Sequence, residues 1–151
     1  MKIFILIRLC TTALTGCFQD EEDFLFRGLF VEFNAVTYAL DPSTFSIPLT
    51  DGQGQMAAQI NLVGAHLDRD ATIAFMVDPN STAVEGQHYT IEERMATIPA
   101  GSSFGEAVFT VSDGGIPAGE SVRLTLVLEG NERIEPMENY RRQTYIIYGT
   151  E

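Results

Sequence analysis

The sequence predicts an all-β protein: a single antiparallel β-sandwich of seven to nine strands behind an export leader. Three observations predict it. From residue 24 onward, apolar and polar residues alternate in short runs, and no helical period of useful length interrupts them. Clusters of Gly, Pro, Asp and Asn separate the runs at spacings of about 8–12 residues, the rhythm of a sandwich. The first seventeen residues have a different layout: a positive start, an apolar run, then small residues up to Cys17.

The leader opens with Lys2 and the run Ile3-Phe4-Ile5-Leu6-Ile7. Its apolar stretch, Ile3 to Leu14, covers twelve residues and contains Arg8. A spanning helix needs roughly twenty apolar residues, so a signal peptide fits and a transmembrane segment does not. In the body, Leu29 to Asn34 reads as the first strand, with Leu29, Val31 and Phe33 on one face. Thr44 to Leu49 alternates with Phe45, Ile47 and Leu49 inward; Pro48 removes a ladder donor and marks an edge strand. Asp51-Gly52-Gln53-Gly54 reads as a turn. Ala57 to Val63 follows with Ala58, Ile60 and Leu62 inward, and Gly64 to Asp70 is a polar loop.

Ala71 to Val77 turns Ile73, Phe75 and Val77 inward, and Asp78-Pro79-Asn80-Ser81 is a turn. Short strands are expected at Tyr89 to Ile91 and around Ala96 and Ile98. Glu106 to Ser112 places Ala107, Phe109 and Val111 inward before a breaker-rich loop, Asp113 to Gly119. Glu120 to Leu128 is the cleanest strand, with Val122, Leu124, Leu126 and Leu128 opposite Ser121, Arg123, Thr125 and Val127. A loop from Glu129 to Asn139 and a strand from Tyr140 to Tyr148 close the pattern, with no second domain expected after it.

Composition narrows the function. The 151 residues include 9 basic and 21 acidic side chains, a net charge of −12. That balance argues against nucleic acid as a partner, because phosphate binding needs clustered Lys and Arg. There is no Trp, and there are two His and two Cys. So thin a stock of reactive groups points away from an enzyme.

Leu14-Thr15-Gly16-Cys17 resembles a bacterial lipobox. The resemblance implies a cleaved lipoprotein signal peptide (residues 1–16), with Cys17 alkylated by diacylglycerol. Cys10 leaves with the leader, so Cys17 would be the only cysteine and no intrachain disulfide would form. Loss of Lys2 and Arg8 takes the balance to 7 basic against 21 acidic, or −14, with no lysine left. Asp20-Glu21-Glu22-Asp23 cannot pack against apolar neighbours, so residues 17–27 read as a solvated tether before a domain at 28–151. The acidic stretch also resembles the export signal of Bacteroidetes-type surface lipoproteins. The expected location is the outer membrane at the cell surface, held by the lipid on Cys17.

The body carries Asp70, then Ala83-Val84-Glu85-Gly86-Gln87-His88-Tyr89, then Ile98-Pro99-Ala100-Gly101, then a strand pair from Glu106 to Leu128. This order resembles the Calx-β class of immunoglobulin-like sandwiches, and more closely a family of small Bacteroidetes lipoproteins with a Calx-β-like pattern. The resemblance implies a binding or scaffolding accessory beside a glycan-uptake system, with outer-membrane transporters and glycan-binding lipoproteins as partners. It also implies an alternative: a calcium-stabilised structural or adhesion module.

Candidate sites follow. Calcium needs six to eight oxygens, so acids must converge. Asp68, Asp70, Asp113 and Glu120 are the leading set, with Asp78 and Glu85 beside them; the loop Asp of the Calx-β pattern is His88 here. No cofactor is expected otherwise. His66, His88 and Asp68 would hold zinc only if folding joined two separate loops. Ser102 and Ser103 lie in a turn, without the strand-to-helix setting of a nucleophile elbow. For saccharide contact, Tyr140, Tyr145 and Arg141 are the leading residues, with Tyr38, Tyr148 and Arg142 nearby and the Glu129–Asn139 loop as their setting.

Overall fold

The computed structural model describes residues 28–34, 44–48, 53–112 and 114–149, with the backbone alone at 44–48 and 53. The leader, Cys17, the tether, Tyr38 and Asp113 lie outside the described residues. Among the described residues ten strands form: β1 (Phe30–Phe33), β2 (Thr44–Pro48), β3 (Gln53–Val63), β4 (Ala71–Val77), β5 (Tyr89–Thr90), β6 (Met95–Ile98), β7 (Phe104–Ser112), β8 (Ser121–Gly130), β9 (Glu135–Pro136) and β10 (Arg142–Tyr148). They make two five-stranded sheets, ordered β5-β7-β3-β1-β9 and β2-β10-β8-β4-β6. No helix occurs among the described residues.

The alternation determines which side of each strand is buried. Val31 and Phe33 of β1, Ala58, Ile60 and Leu62 of β3, and Ala107, Phe109 and Val111 of β7 form the inner face of the first sheet. Ile73 and Phe75 of β4, Ala96 and Ile98 of β6, Leu124, Leu126 and Leu128 of β8, and Tyr145 and Ile147 of β10 face them from the second. Burial of each large side chain in such a layer contributes about 1.5–3 kcal/mol, so the inward parity decides the register of every long strand.

The structure differs from the sequence pattern in four places. The sandwich is mixed: β1 and β9 pair in parallel, as do β10 and β2. Local alternation carries no information on strand direction. Gln53 and Gly54 belong to β3, opposite Ser112 and Val111, because the nine-residue β7 offers a partner along that whole length. Glu129 and Gly130 prolong β8, and Glu135–Pro136 of the expected loop form β9. The one unexpected strand, β9, has two residues and no period to read, whereas β5 falls within the short strand expected at Tyr89 to Ile91. Pro48 does lie in an edge strand, since β2 pairs with β10 on one side only among the described residues.

The sandwich closes at one corner through a glycine. A Cβ on Gly105 would lie 2.7 Å from Thr97 O and 2.9 Å from Ile98 Cγ1. Only a hydrogen side chain lets β6, from the second sheet, cross this close to β7, from the first.

Candidate functional site

Beyond that corner, the outer face of the first sheet forms the floor of a groove of about 770 Å³. The β3–β7 register sets Gln55 opposite Thr110, Ala57 opposite Val108, Gln59 opposite Glu106, and Asn61 opposite Phe104. All share the outward parity, because Ala58, Ile60, Ala107 and Phe109 occupy the inward one. The wall comes from Met95 and Thr97 of β6 and from Glu92 and Glu93, which join β5 to β6. The apolar members are unusually bare: Phe104 is 57 % exposed, Met95 48 % and Val108 39 %. Around them stand amides, hydroxyls and three carboxylates. Among the described residues no Lys or Arg lines the groove, and Glu92, Glu93 and Glu106 form no ion pair. The volume falls within the range of small-molecule sites, roughly 300–1,000 Å³.

The saccharide candidates lie elsewhere. Tyr145 is buried in the core, its ring 4.9 Å from that of Phe109 and tilted 58°. Burial pushes its phenol well above the usual range. Its face is therefore packed and offers no platform to a ligand. Tyr140 is exposed in the turn before β10, where its carbonyl accepts Phe33 N–H at 2.9 Å. Arg141 faces Glu138 at 3.5 Å, while its Nε is buried without a partner among the described residues. Tyr148 is exposed at the end of β10.

The described calcium candidates do not converge. Asp68 and Asp70 precede β4 and Asp78 follows it, so a seven-residue strand of about 23 Å separates them. Asp68 is exposed beside Arg69, at 3.4 Å. Asp70 Oδ1 accepts Ala100 N–H at 2.8 Å and ties the polar loop to the Pro99–Gly101 turn. Asp78 Oδ1 accepts Asn80 N–H at 2.8 Å, and Oδ2 faces the Arg142 guanidinium. The Asn80 bond, opposed by burial and aided by Arg142, holds the Asp78 carboxyl below its ordinary range. Glu85 pairs with Arg94 at 2.7 Å, and Glu120 is exposed. No group of three His, Cys, Asp or Glu is placed for a metal among the described residues, with Asp113 outside them.

The histidines are equally far apart. His66 Nε2 lies 2.8 Å from Ser103 Oγ, just before β7, whereas the His88 carbonyl accepts Ser112 N–H at its far end. The nine residues between them span about 30 Å. His66 and Ser103 thus meet, a contact that their 37-residue separation hides in the sequence. No carboxylate bonds His66 Nδ1 among the described residues, and Asp68 turns to Arg69 instead. His88 is buried; its Nδ1 accepts Val84 N–H at 2.9 Å, and its own N–H donates to Val84 O at 2.8 Å. It locks the Ala83–Tyr89 loop.

Residues 27–151 match the model of a domain of unknown function, DUF4843. The chain belongs to the DUF4843 family. No curated protein sequence matches this DUF4843 chain. Several solved structures share its fold. One, a candidate carbohydrate-binding protein of Bacteroides ovatus, aligns with TM-score 0.62 at 9 % identity over 81 % of this chain. The chain spans only 37 % of that protein's length. The apo-form Calx CBD1 domain aligns at TM-score 0.58 and 14 % identity, covering 83 % of this chain and all of that one. A Bacteroides ovatus protein of unknown function aligns at 0.57 and 14 %, over 78 % of this chain and 44 % of its own. At these identities the likeness shows the fold alone: an all-β, Calx-β-like sandwich.

The groove had a sequence signal of its own. Phe104, Glu106, Val108 and Thr110 occupy the outward parity of β7, and two of the four are apolar where solvent should favour polar residues. Nothing local shows that Gln55 and Met95 come to lie beside them.

Proposed function

We propose that this DUF4843 chain is a non-catalytic saccharide-binding module. It is held to the outer membrane by lipid on Cys17 and displayed at the cell surface by the acidic tether at 17–27. The observation that carries the binding role is the groove: a bare aromatic ring, Phe104, with exposed Val108 and Met95, set among amides and hydroxyls within the same concavity. Such a mix suits a ring with one apolar face and a polar rim. The fold shared with a candidate carbohydrate-binding protein supports the same reading. The lipobox resemblance supports the anchor, and two or more acyl chains hold a protein stably at about 0.8 kcal/mol per buried CH2. A glycan-uptake transporter and its glycan-binding lipoproteins are the partners that fit this role.

Two experiments test it. Purified protein titrated with oligosaccharides should bind, and Phe104→Ala should lose at least tenfold in affinity with the fold intact by circular dichroism. Unchanged affinity in that variant removes the groove as the site. Cys17→Ala should move the protein from the detergent phase to the aqueous phase; continued partition with the membrane overturns the anchor. The calcium alternative predicts a lower melting temperature in chelator, since a ligand bound only to the folded state raises apparent stability.

A further inference from the structure

We infer that the groove takes an uncharged oligosaccharide and rejects anionic ones, a specificity that rests on the saccharide reading above. Two features of the same surface point to this class. The first is length. From Phe104 to Thr110 the outward parity of β7 runs about 20 Å, at roughly 3.3 Å per residue. Phe104 stands at one end and Val108 toward the other, with Gln59 and Gln55 on β3 alongside. Apolar and hydrogen-bonding groups therefore alternate along a track longer than one sugar ring. A single ring would use Phe104 and leave Val108 and Gln55 bare.

The second is charge. Glu92 and Glu93 line the wall and Glu106 the floor, without a cation in the lining or an ion partner among the described residues. A carboxylate is acceptor-only, and it takes charge-assisted hydrogen bonds from sugar hydroxyls without like-charge repulsion. A uronate or sulfate in the same place would set like charges against each other in a concavity whose low-dielectric wall focuses the field. The overall balance, −12 for the full sequence and −14 without residues 1–16, adds to that repulsion at long range. Gln55 and Gln59 each offer an NH2 donor and a C=O acceptor, so the site can serve both ends of a hydroxyl's hydrogen bonding. A protein partner would be expected to meet a continuous apolar core, whereas Phe104, Val108 and Met95 are each set among polar groups.

The experiment is calorimetric titration of the full mature chain with size-matched oligosaccharides: neutral, uronate-containing and sulfated, each also as its monosaccharide. The expected result is that neutral oligomers bind and their monosaccharides bind at least tenfold more weakly. Anionic oligomers should bind at least tenfold more weakly than neutral ones at low salt, with the gap narrowing as salt rises. The triple variant Glu92→Gln, Glu93→Gln, Glu106→Gln should close most of that gap. Equal or tighter binding of anionic oligomers overturns this specificity and leaves the saccharide reading in place. Equal binding of the monosaccharide overturns the length argument alone. Failure of every saccharide, with capture of a basic peptide instead, overturns both readings.

Discussion

Strands β7 and β8 have the same inner face and opposite outer ones. Inward, Phe109 and Leu126 are both fully buried. Outward, Val108 on β7 is 39 % exposed, while Val127 on β8 is only 7 % exposed. The difference comes from neighbours. Val127 lies between Met76 of β4 and Arg142 of β10, with long side chains on both flanks. Along Glu106 to Phe109, β7 has β3 on one side only among the described residues, because β5 reaches only Val111 and Thr110. A central strand is covered even on its solvent side; a half-partnered one leaves its outward residues bare for a ligand.

The largest test of this contrast uses two phenylalanines of one strand. Phe109→Ala should cost about 3–5 kcal/mol, the cost of an aromatic-sized cavity in a packed core. Phe104→Ala should change stability by less than about 0.5 kcal/mol, as a surface substitution, and should act on binding instead. Urea unfolding of both variants checks the pair. A large loss for Phe104→Ala would mean that the outer face is covered, and the contrast with β8 would fail.

Next comes Gly105→Ala. The added methyl would press on Thr97 O and Ile98 Cγ1, so overpacking of about 1–3 kcal/mol is expected. Because the methyl pushes β6 away from β7, the wall carrying Met95 and Thr97 should shift and saccharide affinity should fall. A stable variant with unchanged binding would show that the corner yields freely.

The inner faces were legible from alternation: Val122, Leu124, Leu126 and Leu128 on β8 share the predicted side, with Val122 partly buried. So was the parity that buries Tyr145, since Ile147 lies two residues on in the same strand, and that parity sets Tyr145 apart from the other saccharide candidate, exposed Tyr140. The groove was not legible as a site. Gln55, Met95 and Phe104 come from three separated segments, and only the strand order β5-β7-β3, with β6 crossing at Gly105, brings them together. Strand order and parallel pairing are tertiary outcomes with no local periodicity.

On the covered side, Asp78→Ala should cost on the order of 1–2 kcal/mol, from hydrogen bonds lost at the start of the segment that straps β8. The backbone bond from Asp78 N–H to Thr125 O, 2.8 Å, survives the substitution, whereas the carboxylate's bonds from Asn80 and Arg142 are lost. The carboxyl titrates below its ordinary value in the folded state. Its contribution is therefore full above the unfolded value, about 3.9, and is lost as pH falls through the folded one. The gap between wild type and variant should stay constant from about pH 5 to 8 and shrink below about pH 4. A gap that persisted in acid would assign the loss to packing.

The smallest effect is expected from Arg94→Ala, in the segment between the groove-lining residues Glu93 and Met95. Arg94 pairs with Glu85 at 2.7 Å, but both side chains are nearly half exposed. Such a pair contributes less than about 0.5 kcal/mol and should be lost in 1 M salt. The backbone bond from Phe75 N–H to Arg94 O, 3.1 Å, survives the substitution and keeps this segment on β4. What changes is the field, because a cation next to Glu93 disappears and the groove becomes more negative. Melting curves should therefore nearly superimpose while discrimination against anionic oligosaccharides widens at low salt. If stability fell by several kcal/mol instead, this segment would be held by its side chains, and the bare face of β7 would depend on an ion pair as much as on its missing neighbour.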